Sequence, residues 1–83
     1  MTTEIRSALA QYIAKEILQQ PKRVIAPTTP LISSGLIDSF HLVDLGLYVE
    51  DTFGVHLDDT ELNRDTFDTI EQLTALIVER QGG

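Results

Sequence analysis

Asp38 and Ser39 are the two adjacent residues of this chain whose types and place can do chemistry together. A helical apolar pattern begins just after them. Asp38 therefore stands where a carboxylate caps a helix, by accepting a hydrogen bond from a free backbone N–H of the first turn. Ser39 falls at or next to the first helical position, with its hydroxyl beside free N–H groups and the positive end of the helix dipole. That field favours an anion, so a phosphate ester on Ser39 would be well placed. A hydrolytic serine is a different matter. The nearest base, His41, is two residues on, and positions i and i+2 of a helix point apart. Gly-x-Ser-x-Gly is absent as well. A serine with no base in reach is a poor nucleophile, but it is a good acceptor if another enzyme supplies the catalysis.

The other polar clusters offer a metal little. Asp58, Asp59, Glu61 and Asp65 lack the Asp-x-[Asp/Asn]-x-[Asp/Asn]-Gly frame of a calcium loop, and solvated caps are the better reading. The two histidines lie on different elements. His56, between Val55 and Leu57, reads as a surface or half-buried residue rather than a ligand. There is no Cys, which excludes thiolate ligands and disulfides. No metal site is expected.

Positioning Ser39 falls to the elements around it. Thr2 or Thr3 can cap a first helix whose apolar face is Ile5, Leu9, Tyr12, Ile13 and Ile17. Glu16 falls inside that arc, so it must lie at its edge or find a partner. The pattern stops near Gln19-Gln20-Pro21, because the residue before proline is pushed out of helical geometry. Residues 21–38 form a connection with Pro21, Pro27 and Pro30, long enough in a small chain to suggest function. Val24, Ile25, Leu31, Ile32, Leu36 and Ile37 could pin it to the core, which makes it an ordered crossover rather than a linker.

The spacing predicts a second helix from Ser39 to about Phe53, with Leu42, Leu45, Gly46, Val49 and Phe53 on the core face. Gly46 weakens this helix by about 1 kcal/mol relative to Ala, and close packing is the simplest reason for it. A second stripe holds Phe40, Asp44, Leu47 and Asp51, with Val43 beside it and Glu50 beyond. Two readings stay open for it. One is a docking face for a basic, partly apolar partner. The other is a wide core face flanked by solvated acids.

Gly54 can end the second helix in the left-handed conformation. Val55-His56-Leu57 reads as an extended connection, and Asp58 with Glu61 as the capping box of a one- or two-turn helix. Asp68 with Glu71 has the same spacing ahead of a last helix from about Thr69 to Arg80, with Phe67 stapling its entry. That helix presents Ile70, Leu73, Leu76 and Ile77. Residues 80–83 are expected to fray. The expected core is Ile5, Leu9, Ile13, Leu31, Leu45, Val49, Phe53, Phe67, Ile70, Leu73 and Ile77.

Together these elements predict an all-α fold in a single domain, residues 1–83, with three main helices, one short one and a long first loop. No run approaches the roughly 18 apolar residues of a membrane span. The opening Met-Thr-Thr-Glu-Ile-Arg lacks a basic region followed by an apolar block, so no signal peptide is expected and the cytoplasm is the expected compartment. A net charge of −7 argues against nucleic acid, whose phosphates need a basic patch. It favours a basic partner met in fast, salt-sensitive encounters, or it serves solubility alone.

From about Ile5 to Ile77 the chain resembles the acyl and peptidyl carrier proteins. The resemblance is carried by Gly35-Leu36-Ile37-Asp38-Ser39-Phe40 at the start of the second helix, by Glu50-Asp51-Thr52-Phe53-Gly54-Val55 at its end, and by Phe67-Asp-Thr-Ile-Glu-Gln-Leu73. It implies an acyl-carrier-protein-like four-helix bundle. It further implies that a phosphopantetheinyl transferase moves the arm of coenzyme A onto Ser39 as 4′-phosphopantetheine, whose thiol carries an acyl or aminoacyl group as a thioester. Gly35, Asp38 and Phe40 then support the attachment motif, and Asp38 assists transferase docking and the metal at that step. Asp44, Glu50 and Asp51 match acids that pair with basic partners, and Val43 and Leu47 match apolar contacts. The implied partners are the transferase, an acyl- or aminoacyl-loading ligase and a downstream synthase or transferase with a basic docking surface, meeting a monomer. Phe40 replaces the usual Leu, and His41 stands where fatty-acid carriers often have an acid. With Gly-Leu-Ile ahead of Asp38, the chain looks more like a specialised carrier of a polyketide, nonribosomal-peptide or aminoacyl pathway. The competing class is a small acidic helical adaptor with no prosthetic group. An enzyme comes last, for want of a base, a metal or a phosphate loop.

Overall fold

The structure, a computed structural model, describes residues 2–82. Helix α1 spans Thr2–Tyr12 and runs directly into a π-helical turn, Ile13–Ile17. The helix takes in both Thr2 and Thr3, rather than starting after one of them as expected. In the π turn the Leu18 N–H reaches the Ile13 carbonyl at 2.9 Å. Such a turn holds one more residue than an α turn and rotates the residues beyond it about the helix axis. Ile13, Ala14 and Ile17 are thereby all buried, while Glu16, inside the apolar arc of an unbroken α-helix, is exposed. Gln19 then turns left-handed at φ 54°, and the chain leaves toward Pro21.

Helix α2 spans Ser39–Phe53, the range the spacing predicts. Asp38 caps its start, and Gly54, at φ 70°, returns its N–H to the Glu50 carbonyl at the end. Leu42, Leu45, Gly46 and Val49 are buried. A Cβ on Gly46 would meet the Leu62 side chain at 3.4 Å, so the close approach is to the short turn beyond α2. Phe53 departs from expectation: it is half-buried, packed at the core's edge rather than within it. Its ring stands edge-on to Tyr48, which stacks on Tyr12 with centroids 4.0 Å apart. The Tyr12 hydroxyl donates to the Asp44 carbonyl and the Tyr48 hydroxyl to the Ala8 carbonyl. Residues 12 and 8 thus meet 44 and 48, so α1 and α2 run antiparallel along an aromatic seam.

Val55 and Leu57 are buried on the extended connection after α2. A 3₁₀ turn, Asp59–Glu61, carries both arms of the capping box between Asp58 and Glu61. Helix α3 spans Ile70–Gly82. Asp68 is not its cap. The Thr69 hydroxyl accepts from the Gln72 N–H at 3.1 Å, and the Gln72 side chain accepts from the Asp68 N–H at 2.7 Å. The cap is displaced by one residue, to Thr69, and the Asp68 carboxylate is engaged elsewhere. The tail expected to fray continues the helix. Residues 80–82 are helical, and Gln81 Nε2 donates to the Phe53 carbonyl at 3.2 Å. Gly83 lies outside the described residues.

The predicted core residues other than Phe53 are buried, joined by Ala14, Ile17, Ile25, Ile37, Leu42, Val55 and Leu57. Val24, expected to help pin the loop, is instead 91% exposed. Among the described residues there is no β-strand, and no helix is long and apolar enough to cross a membrane. The fold is all-α.

Candidate functional site

The long connection is knitted to the start of α3, and that is what places Ser39. The Leu31 N–H donates to the Asp68 carbonyl at 2.6 Å. The Asp68 carboxylate accepts the N–H groups of Ile32 and Ser33 at 2.7 and 2.9 Å and the Ser33 hydroxyl at 2.6 Å. Upstream, the Glu71 N–H donates to the Pro27 carbonyl. The bonds to its carboxylate lower the Asp68 pKa from its ordinary value, the Ser33 hydroxyl acting most strongly. Leu31 and Ile37 are buried beneath, and the Ile37 N–H returns to the Leu31 carbonyl at 3.0 Å. Between them Gly35 turns at φ 79°, a conformation that L side chains rarely adopt. The chain is thereby delivered to Asp38 from an anchored loop.

Asp38 Oδ1 accepts the His41 N–H at 2.9 Å and lies 3.0 Å from the His41 ring. The His41 backbone N–H, chiefly, lowers the Asp38 pKa. The N–H groups of Ser39 and Phe40 lie ahead of the helical ladder. Ser39 is exposed, and its hydroxyl bonds none of the described residues. Its neighbours are occupied: the Ser33 hydroxyl on Asp68, and the Ser34 hydroxyl on the Pro30 carbonyl at 2.6 Å. Of the three serines in this stretch, Ser39 alone combines an unengaged hydroxyl with the start of a capped helix.

The second stripe of α2 faces outward. Phe40 is 81% exposed, Leu47 58% and Val43 49%, and Asp44, Glu50 and Asp51 are exposed with them. The wide-core-face reading therefore does not hold. From Val24 to Asn63 the chain has no Lys or Arg, while Asp38, Asp44, Glu50, Asp51, Asp58, Asp59 and Glu61 all fall there. Glu50 is not alone on the surface: His56 Nδ1 lies 2.7 Å from its Oε1. Spacing along the sequence does not show this pair, because the turn at Gly54 makes it. The Asp68–Ser33 contacts were equally hidden, being 35 residues apart in the chain.

Among the described residues no group of three or more His, Asp or Glu side chains gathers to hold a metal ion. A concavity of about 590 Å³ is lined by Ile5, Ala8, Phe53 and Val78 among others. It lies at the far end of α2 from Ser39, about 20 Å along the helix axis, and none of the site residues lines it.

A family model described as the phosphopantetheine attachment site matches residues 7–77. No curated protein matches the chain.

Proposed function

Because the chain belongs to the family of acyl and peptidyl carrier proteins, which bear 4′-phosphopantetheine covalently, we propose that Ser39 is the residue that accepts the arm. The observation that carries this is an exposed, unengaged hydroxyl on the first residue of a capped helix, at the end of an anchored loop. The site fits a phosphodiester: the Ser39 and Phe40 N–H groups and the positive helix end favour an anion there. The arm, when bound, supplies the thiol that holds an acyl group as a thioester. Gly35 sets the turn into the site. Asp38 fixes the helix start and offers a carboxylate to the transferase. His41 lies on Asp38 and not on Ser39, so catalysis of attachment belongs to the transferase.

Val43, Asp44, Leu47, Glu50 and Asp51 form the docking face in this reading, with apolar contacts flanked by acids on an exposed helix. Its partners are the transferase, a loading ligase and a downstream synthase or transferase, each with a basic surface. Phe40 and His41 after the serine favour a specialised polyketide, peptide or aminoacyl pathway over general fatty-acid synthesis.

The test uses the chain's lack of cysteine. After incubation with coenzyme A and a phosphopantetheinyl transferase, a thiol-reactive dye labels the wild type, and the intact mass rises by one arm. Ser39→Ala abolishes both, at a stability cost within about 1 kcal/mol, since the residue is exposed and is not the cap. If several active transferases leave the wild type unlabelled, or Ser39→Ala still takes up the arm, the assignment is wrong. A helical adaptor without a prosthetic group would replace it.

A further inference from the structure

The connection after α2 carries His56 back beside the helix it has just left, so the imidazole meets Glu50 at 2.7 Å. Both side chains are open to solvent, 74% and 50% exposed. The backbone of His56 is held from the other side of the molecule. Arg80 Nη1, on α3, donates to the His56 carbonyl at 3.1 Å, and the same guanidinium pairs with Glu61. A narrow groove of about 90 Å³ runs between α2 and this segment, with Val43, Leu47, His56 and Glu50 on its rim. The pair thus belongs to the face that exposes Val43 and Leu47.

We infer that His56 is a specificity-determining residue for docking, because it holds Glu50 and decides whether a basic partner meets that acid's charge. The inference rests on the docking role proposed for this face. The groups facing His56 are Glu50 from α2, Asp58 and Glu61 from its own segment and the 3₁₀ turn, and Arg80 from α3; Asp59 lines the same groove. The hydrogen bond and the charge of Glu50 raise the His56 pKa above its ordinary 6.5, with smaller contributions from Asp58 and Glu61. While His56 is protonated the pair is neutral. When His56 loses its proton, the charge of Glu50 is uncovered and the face gains one negative charge. Docking on a basic surface therefore strengthens as pH rises through the His56 titration.

The test uses the full chain as substrate of a phosphopantetheinyl transferase with a basic docking surface, with a fluorescent coenzyme A analogue as the arm donor. KM is measured from about pH 6 to 8.5 for wild type and His56→Gln, and the ratio of the two cancels the transferase's own pH dependence. Gln leaves Glu50 uncovered at every pH. Wild-type KM is then about threefold above the variant's near pH 6, and the two converge near pH 8.5. In parallel, NMR tracks the His56 ring. The His56 midpoint falls in Glu50→Gln. A ratio that stays near one throughout, with both chains labelled, overturns the inference and leaves the carrier reading intact, as does a His56 midpoint indifferent to Glu50→Gln. If neither chain is labelled by any transferase, the carrier reading has failed and this inference fails with it.

Discussion

A carboxylate that accepts two N–H groups and a hydroxyl is held ionised, and Asp68 is such a group. Asp38 sits at one end of the loop that delivers Ser39, and Asp68 anchors that loop from α3. The two acids do similar local chemistry at different ranges: Asp38 bonds a residue three places on, Asp68 residues 35 and 36 places back. Asp68→Ala frees the Ile32 and Ser33 amides, and their hydrogen exchange is expected to speed up by roughly tenfold while exchange in the middle of α2 is little changed. If Ser39 is the acceptor as proposed, arm loading should persist in this variant with a raised KM, because the Ser39 hydroxyl is intact and only its platform is loosened. Unaltered exchange at both amides would show that the buried Leu31 and Ile37 hold the loop unaided.

Among the elements, α2 was legible from end to end because its signals are local: an Asp before the apolar pattern and a Gly after it. The π turn was not. Its trace in the sequence was Glu16 inside an apolar arc, a misfit that a wider turn resolves but that an edge position would have explained as well. The start of α3 was misread by one residue because Asp68 with Glu71 and Thr69 with Gln72 share the same spacing. A loop from the other half of the chain decided between them. The end of the π turn leaves Gln19, a residue with a Cβ, in the left-handed region, where ordinary residues are disfavoured by roughly 1–2 kcal/mol. Gln19→Gly removes that strain and loosens the unfolded chain, so a net gain of about 0.5–1 kcal/mol is expected in urea unfolding. A loss of stability would mean that the Gln19 side chain makes a contribution larger than the strain.

Over the whole molecule, charge acts on stability and on encounter in different pH ranges. Asp38, Glu61 and Asp68 are all lowered, Glu61 from 4.5 to about 2 through Arg80. The stability they lend is complete above their ordinary values and fades as pH falls from about 4.5 towards 2. His56 has the opposite sign: its contribution is complete below 6.5 and is lost as pH climbs through its raised value. Thermal unfolding should therefore show highest stability in the mildly acidic range between these limits, with the steeper loss on the acid side. In the proposed reading, the encounter depends on the sign of the exposed stripe. Asp44 and Asp51 lie seven residues apart, two turns along one face of α2, and both are exposed. Asp44→Lys with Asp51→Lys replaces two negative charges by two positive ones without touching a buried residue. Far-UV circular dichroism should be unchanged, while transferase KM at low ionic strength rises roughly tenfold. The difference should shrink in about 1 M salt, where the Debye length is only about 3 Å. Salt alone should weaken wild-type docking in the same direction, because screening and charge reversal act on one attraction. Rates indifferent to both treatments would reduce the acidic stripe to a solvated surface, and docking would then fall to Phe40, Val43 and Leu47 alone.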